Sequence, residues 1–192
     1  CETEKASSCG SLPIELQTTK NIFALMFLLR GIPFVDLAYL RKADIQGNTL
    51  KYRRRKTGRL LTVMLTPDAI KLIRIVAKTK PESPYLFPFL SSPEGTEAAY
   101  HEYQSSLRMF NYRLSRLKKY MKTAAHLSSY TIRHTWATMA YYCEIHPGII
   151  SEAMGHSSIK VTETYLKPFQ NEKIDNANSQ VISYVKEYAS IV

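Results

Sequence analysis

Residues 128–166 read SSYTIRHTWATMAYYCEIHPGIISEAMGHSSIKVTETYL. Ser129 can cap a helix over 130–142. His146-Pro147 opens a short helix, with proline at its first position, and Gly155 closes it. Thr162 reads as the cap of a turn carrying Tyr165. Arg133 falls in the first turn of its helix, where backbone N–H groups also favour an anion. His156 follows the helix-ending glycine, which places its ring at a surface crevice. By themselves, one guanidinium, one imidazole and one phenol at such spacings are as readily structural. His134 reads as a packed residue and Trp136 as core, and Tyr141, Tyr142, Tyr184 and Tyr188 read as packing or surface residues.

Working outward, the clearest periodicity lies just upstream. Tyr103, Leu107, Phe110, Leu114, Leu117 and Met121 recur at alternating intervals of four and three, which predicts a helix over 98–122 with one core-facing stripe. Further helices are predicted over 16–29, ending near Gly31 and Pro33, and over 35–40. Residues 50–55 and 60–65 read as two strands joined around Lys56-Thr57-Gly58-Arg59, with a Gly47-Asn48 turn before them. Thr66-Pro67 caps a helix running to about residue 78, and the proline-rich 80–97 stretch reads as loop. A last amphipathic helix is predicted over 172–188. The fold class is therefore mainly α with a small antiparallel sheet (α+β), without βαβ alternation. Residues 1–12 read as a linker or ragged start, and 13–192 as one domain.

The chain has 192 residues and a net charge of +10. The charge is concentrated in two acid-free runs. KYRRRKTGR (51–59) and RMFNYRLSRLKKYMK (108–122) each hold six basic residues. A charge run is often only a solvated face. Two such runs in one chain favour a surface that tracks phosphates, with Arg53, Arg54, Arg55, Arg59, Arg113, Arg116, Lys118 and Lys119 as DNA-contacting candidates. The longest apolar run, 22–29, is far short of the roughly 20 residues of a membrane span. The N-terminus does not suit a signal peptide. The three cysteines form neither a disulfide framework nor a metal spacing, which suits a reducing cytoplasm. No glycine-rich phosphate loop and no His-x-x-x-His or Cys-x-x-Cys pair is present, so no metal or cofactor is called for.

Arg133-His134-Thr135, then Met154-Gly155-His156-Ser157-Ser158, then Thr162-x-x-Tyr165 resemble, in order and spacing, the second motif block of the tyrosine recombinases, the phage-integrase family. Residues 36–45, DLAYLRKADI, resemble the family's first block, and Lys56-Thr57-Gly58 its hairpin lysine. The resemblance covers roughly residues 16–185 and concerns the catalytic domain; the family's N-terminal core-binding domain has no counterpart in it. The form Arg30-Gly31-x-x-Phe34-Val35-Asp36-Leu37 looks like integrases of mobile elements of gut bacteria. Two positions depart from the pattern. Pro33 stands where the family carries its first arginine, and Arg30, one turn earlier, is the candidate replacement. Tyr130 stands where the family has a histidine; a phenol can hydrogen-bond a phosphate but is a poor base at neutral pH.

The resemblance implies Tyr165 as nucleophile, forming a 3′-phosphotyrosyl link and freeing a 5′-hydroxyl. It implies Arg133 and a first arginine as clamps on the phosphate oxygens and Lys56 as acid for the leaving oxygen. His156 would bond the phosphate or assist the tyrosine proton, and Asp36 would buttress the pocket. The covalent link keeps the phosphoester bond for rejoining, so no ATP or metal is required. The implied partners are double-stranded DNA recombination sites and three further copies of the chain, docked through the C-terminal helix into a homotetramer, in a bacterial, nucleoid-associated setting. Two alternatives stay open: a catalytically impaired DNA-binding accessory protein, suggested by Pro33 and Tyr130, and an enzyme like type IB topoisomerases.

Overall fold

A computed structural model describes residues 12–166 and 171–189. The expected linker at 1–12 lies, Leu12 apart, outside the described residues. The centre of the fold is α1 (Ile14–Leu28), which is wholly apolar from Ile22 to Leu28 and packs against three other helices. Leu16, Ile22, Leu25 and Met26 are buried along it. Truncating Leu25 or Met26 to alanine is expected to cost about 2–5 kcal/mol.

The short α2 (Phe34–Ala38) starts after Pro33. Phe34 stacks on Phe110 and packs against Phe89, so the start of α2 is fixed in the core. The sheet has three antiparallel strands in sequential order: β1 (Ile45–Gln46), β2 (Thr49–Arg53) and β3 (Leu60–Met64). β1 is an addition to the predicted pair, folded back through the Gly47-Asn48 turn so that Ile45 faces Leu50. In the β2–β3 ladder Leu50 pairs with Val63 and Tyr52 with Leu61, and these four point into the core.

Next come α3 (Pro67–Val76), capped by Thr66, and α4 (Glu97–Tyr120), capped by Thr96. Phe110, Leu114 and Leu117 are buried along α4, with Tyr103 and Leu107 half-buried beside them. Met121 is an exception to the predicted stripe: it is the C-cap, where the chain leaves the helix, and it is exposed. The loop before α4 is fastened by Glu102, whose carboxylate accepts from both Ser91 and Ser92.

α5 (Thr131–Tyr142) begins one residue later than predicted, after Tyr130 and without a side-chain cap from Ser129; a reciprocal Ser128–Thr131 pair closes the turn before it. Ser128 Oγ accepts from Thr131 N–H at 3.2 Å while Thr131 Oγ1 accepts from Ser128 N–H at 2.9 Å. Ser129 N–H instead donates to Asn111 on α4. α6 (Pro147–Met154) ends at Gly155 in the left-handed conformation. Thr162 is not a cap; it lies inside α7 (Ile159–Glu163) and is fully buried. α5 and α6 enclose a second apolar cluster of Ala137, Ala140, Ile150 and Met154, against which Trp136 and Tyr165 pack. α8 (Asn171–Ala189) follows, with Ile174, Val181, Ile182 and Val185 all exposed. Among the described residues no helix is long and apolar enough to cross a membrane.

Candidate active site

The site lies where the end of α1, the β2–β3 turn, the start of α5 and the 154–156 loop meet. Gly31, at φ +65°, lets α1 end against α5; a Cβ there would stand 3.0 Å from Arg133 Cα and 3.2 Å from Trp136 Cβ. That approach seats Arg133, which is buried and donates to the carbonyls of Gly31 (3.0 Å) and Met154 (2.6 Å). The Tyr165 phenol lies close enough to this guanidinium to favour its charge.

Arg54 overturns its assignment to the DNA-tracking surface. It is only 6 % exposed. Its Nε lies 3.0 Å from Asp36 Oδ2, and an Nη donates to Met154 O at 2.8 Å. Two guanidiniums thus converge on one carbonyl. The cause is strand alternation: Leu50, Tyr52 and Arg54 share the inward face, whereas Lys51, Arg53 and Arg55 point out. That period-two pattern was available in the sequence and identifies Arg54 as the buried member of the run. Asp36 also accepts from Arg55 N–H at 2.9 Å, so one carboxylate anchors two successive hairpin residues. Burial raises the Asp36 pKa, against the opposing pull of the Arg55 N–H and the Arg54 and Arg133 charges. Burial, and then repulsion from Arg54, lowers Arg133 to about 10, still fully charged at pH 7.

His156 is buried, with Nδ1 2.8 Å from Thr162 Oγ1, and its Nε2 has no hydrogen-bond partner among the described residues. Burial, with the charges of Arg133, Arg54 and Lys56, lowers its pKa to about 4, so the ring is neutral at pH 7. It stacks on Tyr165 with centroids 5.2 Å apart. Tyr165 also meets His134, at 4.2 Å between centroids, and Tyr130, whose hydroxyl is 3.1 Å from the Tyr165 hydroxyl. That bond is the largest cause of a raised Tyr130 pKa. His134 is packed as expected, and its neighbours are the Tyr130 and Tyr165 rings. It stands four residues, one helical turn, after Tyr130, which puts both rings on the face that meets Tyr165.

Lys56 is exposed at the tip of the β2–β3 turn. Arg59 is exposed, and its guanidinium reaches across to donate to His156 O at 3.0 Å. Arg55 is paired with Glu94 and lies over the Tyr39 ring at 3.7 Å. Arg53 is exposed and caps the turn through Gly58 O. Arg30 ends α1 with φ +60°; its charge is felt at Tyr52, but its side chain makes no hydrogen bond or ion pair among the described residues. Arg116 reaches Glu15 at 3.6 Å, beside the opposite end of α1, and Arg113 lines a groove with Thr18, Thr19 and Ile22. These two therefore stand off the site. Lys118 and Lys119 occupy the last turn of α4.

The model of the phage integrase family matches residues 13–172. The chain belongs to the phage integrase family. Solved structures of similar fold include XerA recombinase, at 16 % identity and TM-score 0.58 over 86 % of this chain and 61 % of that one. The Tn1549 transposon integrase in complex with transposon right end DNA matches at 14 % identity and TM-score 0.61, over 86 % of this chain and 59 % of its own. XerH site-specific recombinase bound to palindromic difH substrate, a post-cleavage complex, matches at 16 % and 0.61, over 88 % and 47 %. This phage-integrase-family chain thus spans about three fifths or less of those structures. Comparison with curated proteins by sequence gives no match.

Proposed function

We propose that this chain is the strand-cleaving part of a site-specific DNA recombinase or integrase of a bacterial mobile element, acting in the cytoplasm. The observation that carries the reading is the convergence of Tyr165, Arg133, Arg54 and an unsatisfied His156 Nε2. A scissile phosphate fits this group: two cationic forks and one ring nitrogen for its oxygens, and a phenol beside them. Arg54 is the better second arginine than Arg30, because Asp36 and Met154 O hold it beside Arg133.

In the cleavage step the Tyr165 Oη–P bond forms and the P–O5′ bond breaks. The phenol proton leaves to water, and the Lys56 ammonium gives its proton to the departing O5′. Tyr130, with its raised pKa, stays neutral and orients the nucleophile instead of taking the proton. Neutral His156 donates from Nε2 to a phosphate oxygen while the Thr162 hydroxyl bonds Nδ1. Reversal of the same steps by a new 5′-hydroxyl rejoins the strand, so the bond energy is conserved in the phosphotyrosine. The exposed apolar residues of α8 suit docking on a neighbouring protomer, and hence a tetramer on two DNA sites. Arg53, Lys118 and Lys119 remain candidates for phosphate contacts outside the site.

The test uses a pool of nicked duplexes with randomised arms, mixed with the chain and run on a denaturing gel. A covalent protein–DNA adduct is expected, and sequencing the captured DNA yields the preferred site. DNA binding without any adduct would make the chain an accessory DNA-binding protein instead. Relaxation of supercoiled plasmid without sequence preference in the captured DNA would favour a topoisomerase.

A further inference from the structure

The turn that carries Lys56 is fastened to the loop that carries His156 at three consecutive carbonyls. Arg54 donates to Met154 O at 2.8 Å, Thr57 Oγ1 to Gly155 O at 3.2 Å, and Arg59 to His156 O at 3.0 Å. Arg59 also lies 3.8 Å from Glu152 at the end of α6. The backbone is shaped for this contact. Gly155 has φ +64°, and a Cβ there would stand 3.0 Å from Arg54 Cγ and 3.1 Å from Leu61 Cδ1. Within the turn, Gly58 N–H closes on Arg54 O at 2.7 Å, and Arg53 donates to Gly58 O. The segment from 54 to 59 is therefore clasped on both sides of Lys56, whose exposed side chain makes no hydrogen bond or ion pair among the described residues.

We infer that Thr57 and Arg59 are positioning residues for the leaving-group acid: by gripping the Gly155 and His156 carbonyls, they hold Lys56 over the phosphate that His156 and the two arginines bind. This rests on the recombinase reading given above. Lys56 sits on a four-carbon stem, and an acid acts only within hydrogen-bond reach of the oxygen it protonates. Freeing the turn spreads the ammonium over many positions and lowers the fraction in reach. The Arg59 and Thr57 side chains thus act through Lys56, and not as DNA contacts of their own.

The experiment compares two forms of the captured duplex, one with oxygen and one with sulfur bridging the scissile phosphorus and C5′. A thiolate leaves without needing a proton, so the sulfur form bypasses the acid. Single-turnover adduct formation is measured at saturating DNA for the wild-type chain, Lys56→Ala, Thr57→Val, Thr57→Ser and Arg59→Ala, after matching their melting temperatures. Wild type cleaves both forms. Lys56→Ala loses roughly 10²–10⁴-fold on oxygen and little on sulfur. Arg59→Ala and Thr57→Val lose about tenfold or more on oxygen, part of what the acid supplies, and recover on sulfur, while Thr57→Ser keeps wild-type rates. Equal losses on the two forms, or no loss on oxygen, would overturn the clasp and leave the recombinase reading intact. Absence of any wild-type adduct would instead overturn that reading, and loss of both forms in Lys56→Ala would remove Lys56 as the acid.

Discussion

The two basic runs, 51–59 and 108–122, carry six cations each and no acid, yet they are put to different uses. In the first, the strand pairing of β2 turns every second residue inward, so Arg54 is buried against Asp36 while Arg53 stays outside. Arg59 bends back onto His156 O, and Arg55 is matched by Glu94. In the second, a helix leaves Arg108, Arg116 and Lys119 exposed and lays Arg113 along a groove beside α1. Arg116 pairs at 3.6 Å with Glu15, an exposed contact worth about 0–1 kcal/mol. What separates the runs is whether the backbone period carries a cation into a low-dielectric place with a carboxylate and carbonyls waiting. Charge density along the chain carries no such information.

Substitutions in the first run should therefore cost far more than in the second. The largest effect is expected at Arg54. Arg54→Ala should lower the rate of adduct formation about 10²–10³-fold, as loss of one charge-stabilising donor does. It should also lower the melting temperature, because Asp36 is left buried without its partner. Arg54→Lys should restore little, since an ammonium cannot span Asp36 and Met154 O as a planar fork does. Wild-type cleavage by Arg54→Ala, with Arg30→Ala inactive, would return the second-arginine role to Arg30.

Gly155→Ala comes next. A left-handed residue with a Cβ costs roughly 1–2 kcal/mol, and here the added atom also pushes on Arg54 Cγ and Leu61 Cδ1. Urea unfolding should show the loss in stability, and cleavage should fall with it. Gly47→Ala, where a Cβ meets nothing within 4 Å, should show the backbone cost alone and keep its activity.

A pH effect of intermediate size follows from His156. The unfolded ring takes up a proton near 6.5, whereas the folded ring resists until about 4. Between those values the unfolded state binds more protons, so stability should fall as pH drops through that window. His134, whose pKa is also lowered by burial, adds in the same direction. Denaturant midpoints measured at pH 7, 6, 5 and 4 should decline, and the decline should shrink in His156→Gln.

The smallest effects are expected in the second run. Lys118→Ala and Lys119→Ala should leave cleavage at saturating DNA unchanged. Each should lower the slope of log affinity against log salt by about 1 if its ammonium contacts a phosphate. A loss of cleavage as large as that of Arg54→Ala would erase the distinction between the runs.

Much of the helical frame was legible from periodicity and caps, because Thr66-Pro67, His146-Pro147 and Gly155 act locally. The same holds for the hairpin, whose turn sits where Lys56-Thr57-Gly58-Arg59 marks it. Contacts between distant segments were not legible. The turn before α5 is closed by Ser128 and Thr131 rather than by Ser129, and Thr162 lies inside α7 against the His156 ring. Arg54 was hidden among like charges, although the alternation with Leu50 and Tyr52 pointed to it. Arg59 carried no local signal, since its partner lies 97 residues away.

The central claim is that Tyr165 attacks DNA, and mass spectrometry of the trapped adduct tests it most directly. After nuclease and protease digestion, the nucleotide should be found on the peptide carrying Tyr165, and Tyr165→Phe should form no adduct. A nucleotide on another tyrosine, above all Tyr130 with its hydroxyl 3.1 Å away, would contradict the account.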